Sequence, residues 1–258
     1  MMQVRARFLM SALCAALSVW HEPASALSID NMILVSGQNS KGDFLTLNNN
    51  SESPVFVKTE LSSLTTDNGK SHETRYTKDN LMQWGITLDP SLFILDPGES
   101  RQVALRVLTD PGRLRDEVYG VSFIPQANQP DASKGEQQMN IQVGFKAYYI
   151  VPAKESKMDY RVRYNPQNGE LTLTNLGNTL LQAQLNQCRA GVKKDPEKPC
   201  STMFLVIAGK ERTFTVPEWL RGEKMPLEVM NHSKRYRQPV TLTAQQSTYS
   251  YSAQLEKK

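Results

Sequence analysis

The chain has 258 residues, enough for one or two globular domains. Its formal net charge of +4 is mild and lies on no concentrated basic face, which excludes a nucleic-acid binder. The run Lys234, Arg235 and Arg237 reads as a solvated hairpin rather than a phosphate site.

In chain order, residues 1–26 come first. They open with Arg5 and Arg7, run apolar over 8–20, and end in Ala24-Ser25-Ala26, the pattern of a secretory signal peptide. The apolar run is too short to cross a bilayer of ~30 Å. Leu13 is too large for a lipoprotein-type cleavage site before Cys14. No later stretch is long and apolar enough for a membrane helix. An exported, soluble chain is expected after residue 26.

The next part predicts strands over 27–35, 44–49, 55–61, 86–95, 100–108, 117–125 and 139–151, from side chains that alternate apolar and polar. Turn chemistry separates them at Asn48-Asn49-Asn50, Asp67-Asn68-Gly69 and Asp96-Pro97-Gly98. Seven short strands with frequent turns suggest an immunoglobulin-like sandwich over 27–151. Residues 126–138 are polar and read as a loop. Residues 152–157 are charged and apolar-poor, and read as a linker. A second, smaller β domain is expected over 158–258, with strands at 160–164, 170–175, 181–185, 204–207, 212–216, 227–230, 239–244 and 248–255. The fold class is therefore all-β, with two immunoglobulin-like β-sandwich domains.

Two cysteines remain after the leader, Cys188 and Cys200. An even count in an exported chain reads as a disulfide. The intervening residues 189–199 hold four Lys/Arg, two acids and two prolines, so an exposed loop is expected. Closing it stabilises by about 3 kcal/mol if unstrained.

No catalytic or metal site is legible. His72 and His232 sit in polar loops, there is no H-E-x-x-H, and Gly98-Glu99-Ser100 lacks the second glycine of a nucleophile elbow. Neither an enzyme nor a cofactor is expected.

The segment 139–151 is the most informative. Met139, Ile141, Val143 and Phe145 share one parity, and Asn140, Gln142, Gly144 and Lys146 share the other. Pro152 closes the strand because it cannot donate to a sheet ladder. Such a row is either buried in its own core or offered to another chain.

Four segments resemble the periplasmic chaperones of chaperone–usher pili, closest to the alternative, class 5 and common-pilus-like branch. They are the opening Leu27-Ser28-Ile29-Asp30, the strand–turn from Leu88 through Asp96-Pro97-Gly98 to Ser100, the strand Arg115-Asp116-Glu117-Val118-Tyr119 on to Pro125, and 139–152 in the place of the family's last first-domain strand. The second domain, with Leu171 to Asn178 and the two cysteines, fits the same branch. The resemblance implies two sandwiches arranged as a boomerang, in the periplasm. It implies donor-strand complementation, in which a strand is lent to a pilin that lacks one, and delivery of that subunit to an outer-membrane usher. On that reading Met139, Ile141, Val143 and Phe145 are the lent row.

The family holds its subunit's C-terminal carboxylate with cations in the interdomain cleft. Lys146 is the best match, while Ile33 stands where the opening strand usually has an arginine, so Arg106 and Arg115 are further candidates. The family's interdomain salt bridge would involve Glu117, but Val151 replaces its basic partner. The partners implied are pilus subunits and the usher, with a self-capping homodimer as a candidate state of the free protein. The alternatives are a fimbrial structural component or another exported β-sandwich binding protein.

Overall fold

The computed structural model describes residues 27–67, 70–108, 112–126, 143–188 and 195–252. The leader, residues 127–142 with the expected loop and with Met139 and Ile141, residues 189–194 between the cysteines, and 253–258 lie outside the described residues.

Among the described residues, the first domain contributes ten strands: β1 (Leu27–Ile29), β2 (Ile33–Val35), β3 (Asp43–Asn49), β4 (Val55–Asp67), β5 (Lys70–Arg75), β6 (Ile86–Asp89), β7 (Leu92–Leu95), β8 (Ser100–Val107), β9 (Glu117–Gln126) and β10 (Phe145–Val151). One sheet runs β1-β3-β8-β6. The other runs β2-β10-β9-β4-β5, with β7 also on β4. Between them lies a core that includes Leu45, Leu47, Val57, Val103, Val121, Phe123, Ala147 and Tyr149.

The segment expected as one strand over 27–35 is two strands in different sheets. Residues 27–29 pair with β3, and 33–35 run parallel to β10. Asp30 closes the first piece by accepting the Thr46 N–H at 3.0 Å. The segment 86–95 divides in the same way. Pro90 has no N–H to give a ladder, so β6 stays with β8 while β7 crosses to β4. β4 runs on to Asp67 and pairs with β5, which has every residue exposed. His72 therefore sits on a strand rather than in a loop. No alternation announces β5, because neither of its faces is buried.

The second domain contributes β11 (Asp159–Asn165), β12 (Glu170–Asn175), β13 (Leu181–Asn186), β14 (Ser201–Val206), β15 (Glu211–Thr215), β16 (Lys224–Asn231), β17 (Arg237–Thr243) and β18 (Thr248–Ser252). Its sheets run β15-β12-β11-β18 and β14-β13-β16-β17. Val162, Leu171, Leu173, Leu181, Leu185, Val229 and Leu242 fill the space between them. Cys188 and Cys200 form a disulfide, with Cα atoms 4.9 Å apart.

The two domains share a small apolar cluster of their own. Val35, Val118 and Ile150 of the first domain bury Leu180 of the second, with Ile33, Leu64, Leu205 and Ile207 packed around them.

Candidate functional site

β10 has two different ends. From Tyr148 to Ile150 it is paired on both sides, antiparallel to β9 and parallel to β2. From Phe145 to Ala147 only β9 is paired, so the other edge carries no strand among the described residues. A strand edge of this kind leaves N–H and C=O groups open to another chain.

The side chains divide along the same line. Ala147, Tyr149 and Val151 are buried in the core of the first domain, and Phe145 packs against it. Two residues upstream, Val143 has the same parity and is 67% exposed. The apolar row is thus continuous, sealed at its C-terminal end and open at Val143. Phe145, also expected in the lent row, is half-buried at the mouth of the sandwich and packs against the edge of the domain's own core.

Lys146 points to the opposite face and forms an ion pair with Glu73 on β5. That bond holds the Glu73 carboxyl below its ordinary range, helped by Ser62 and opposed by partial burial. Its stem crosses β9 at Gly120, where an added Cβ would stand 2.6 Å from Lys146 Cε. A side chain at that crossing would have to displace the lysine stem and the Ser62 hydroxyl. Arg106 is exposed on β8, in the sheet opposite β10, and is not part of the cleft. Arg115 lines the cleft between the domains together with Arg113, Asp116, Glu117, Ile207 and Ala208.

A neighbouring part of the cleft encloses ~360 Å³ and is walled by Ile33, Leu64, Val118, Tyr148, Ile150 and Leu180, among others. Lys210 and Arg212 stand on its second-domain side. Glu211 lies between those two cations on the same wall, and the place of Ile33 in the interdomain cluster explains an apolar residue at that position. Val151 is likewise buried. Glu117 accepts the Tyr119 hydroxyl at 2.7 Å; this carboxylate and burial, chiefly burial, push the phenol pKa far up.

The residue that joins the domains is its neighbour Asp116, which nothing in its sequence neighbourhood singles out. It accepts from the Ala153 N–H at 2.8 Å, the Leu180 N–H at 2.8 Å and the Thr179 hydroxyl at 3.1 Å. Among the described residues, no three His, Cys, Asp or Glu side chains converge as metal ligands, and no helix is long and apolar enough to cross a membrane.

Residues 29–152 match the family described as the CS5 fimbrial protein N-terminal domain. The matched stretch contains β2 to β10 and ends at Pro152, so the open edge and the exposed Val143 fall inside it. An Escherichia coli protein described as an uncharacterized 25.9 kDa protein in the CS5 3′ region is 33% identical over 134 residues. That match covers 51% of this chain and 56% of the relative, so the chain spans just over half the length of the curated relative it matches.

Three solved structures resemble the chain in outline. The class 5 fimbriae chaperone CfaA is 16% identical, with a TM-score of 0.48 over 84% of this chain and 98% of that one. A chain of the Salmonella enterica SafA pilin–SafB chaperone complex is 13% identical, with a TM-score of 0.48 over 86% and 97%. The E. coli chaperone DraB is 15% identical, with a TM-score of 0.47 over 84% and 96%.

Proposed function

We propose that the chain is a periplasmic chaperone that caps fimbrial subunits by donor-strand complementation and hands them to an outer-membrane usher. The observation that carries this reading is the two-ended β10. One apolar row starts in the open at Val143, beside an unpaired edge, and ends sealed in its own sandwich. A subunit that lacks a strand offers the complement: unpaired backbone and an empty apolar groove. Strand addition satisfies both at once. The fimbrial family match over the same residues supports the choice of partner.

Met139, Ile141 and Val143 are the proposed plug. Burying each contributes roughly 1.5–3 kcal/mol before the ordering cost of association. The sealed half makes the strand stiff where it leaves the domain, so less freedom is lost when the free half is captured. Lys146, one residue past the mouth of the sandwich, is the proposed anchor for a carboxylate, with Arg115 in the cleft as the second cation. No nucleotide or metal enters this mechanism.

The test is the double variant Ile141→Asp/Val143→Asp. The protein is expected to fold as the parent does, by circular dichroism, and to fail to protect a co-expressed fimbrial subunit in the periplasm. Normal recovery of the subunit would overturn the assignment. Binding of the capped complex to the isolated usher N-terminal domain tests the second half of the reading.

A further inference from the structure

Among the described residues, Asp116 is the one charged side chain that is buried, at 7% exposure. A buried carboxylate is costly unless its oxygens are filled. Here one oxygen takes the Ala153 N–H, which follows β10, and the other takes the Leu180 N–H and the Thr179 hydroxyl, from the second domain. Its own N–H donates to the Asn178 carbonyl at 2.8 Å. One residue of the first domain thus holds both the connection and the neighbouring domain. Bonds to a charged acceptor are short and directional, so they fix an orientation as well as a distance.

Leu180 is fixed twice. Asp116 holds its backbone, and its side chain, 1% exposed, is packed among Val35, Val118 and Ile150. The polar bond and the apolar insertion specify the same pose of the second domain. Thr179 extends the arrangement. Its hydroxyl gives its single proton to Asp116, so at His232 Nδ1, 3.1 Å away, it must accept, which assigns the Nδ1–H tautomer. The His232 carbonyl in turn accepts from the Gln38 side chain at 2.9 Å, back on the first domain. The contact is a closed circuit across the junction.

We propose that Asp116 is a positioning residue that sets the angle between the two domains, and with it the width of the apolar cleft from Ile33 to Ile207. The proposal concerns the free protein and does not rest on the capping reading. Val151, where the resemblance would place a basic partner for Glu117, is buried in the first domain's core, and the joining bonds come from the backbone N–H groups of Ala153 and Leu180 instead.

The experiment measures residual dipolar couplings on the mature protein carrying Asp116→Asn or Asp116→Ala. In the parent, both domains are expected to fit one alignment tensor. Asparagine must set its NH2 group against a backbone N–H or lose an acceptor, so Asp116→Asn is expected to need two tensors while chemical shifts inside each sandwich stay in place. Retention of the parental common tensor in both variants overturns the proposal. If neither variant folds, Thr179→Val removes the hydroxyl bond alone. A measurable change in relative tensor orientation is then expected, and an unchanged one overturns the proposal equally.

Discussion

Asn49 ends β3 and Asn175 ends β12, and each does the same job in its own domain. Asn49 is fully buried; its amide donates to the Ser53 and Leu95 carbonyls, and its oxygen accepts the Ser51 N–H and hydroxyl. Asn175, 2% exposed, donates to the carbonyls of Thr179 and Val206 and accepts the Gly177 N–H. Both side chains therefore close the turn that follows their strand. Asn175→Ala strands two buried carbonyls, and at about 1–3 kcal/mol for each unsatisfied group it should cost roughly 2–6 kcal/mol of stability, read by urea unfolding. His232 is a second residue with a predictable signature. Burial lowers its pKa, partly offset by Asp116 and reinforced by Arg235. The folded state thus binds fewer protons than the unfolded one below an ordinary histidine pKa of about 6.5. Stability should be flat above that pH and fall as the pH drops through it. His232→Gln should flatten this acid limb, and an unchanged slope in urea midpoints against pH would assign the loss to other groups.

On the scale of strands, β10 explains where alternation stops. The pattern is strict up to Lys146 and then gives way to Ala147, Tyr148, Tyr149, Ile150 and Val151, apolar at every position. One face of this end meets the domain's own core and the other meets Leu180 across the interdomain cluster, so both parities are apolar. That change was visible in the residues, but only the packing says what covers the second face. β5 illustrates the reverse. It is a polar strand that pairs by backbone alone, and its service is to place Glu73 beneath Lys146. The pair gives two opposite predictions under the anchor reading. Lys146→Ala should weaken subunit capture, whereas Glu73→Gln should tighten it by releasing the ammonium from its present carboxylate. Surface pairs contribute only ~0–1 kcal/mol, so neither change should unfold the protein. Subunit titration followed by calorimetry reads both, and equal affinities in the two variants would move the anchor elsewhere in the cleft.

For the molecule as a whole, the question is how independently the two sandwiches stand. Each has its own core, and each carries one tryptophan after the leader, Trp84 in the first and Trp219 in the second. Trp84 stacks on Tyr76, and the Trp219 indole N–H donates to the Pro199 carbonyl beside Cys200. Fluorescence of single-tryptophan variants therefore follows each domain separately. Opening the disulfide with Cys188→Ser/Cys200→Ser should lower the Trp219 transition by about 3 kcal/mol and shift the Trp84 transition by much less. Leu180→Ala leaves a cavity at the junction, and large-to-small changes of this kind cost about 2–5 kcal/mol in a packed core. Its expected effect is to separate the two transitions, because the lost contact belongs to neither core alone.

The strand alternation, the turn residues and the cysteine count are local properties, which is why an all-β chain of two sandwiches with a disulfide was legible from residue order. The split of 27–35 and 86–95 between sheets was less so, since Asp30 and Pro90 mark a break without saying which sheet takes each piece. The fate of the apolar row on β10 depended on neighbours that no spacing rule supplies: Ala147 is buried in the sandwich, Phe145 is half-buried at its mouth, and Val143, two residues further out, is open. Asp116 was the least legible residue of all. Its partners lie 37, 63 and 64 positions away, and a carboxylate's importance comes from the donors brought to it, which exist as a group only once the chain has folded.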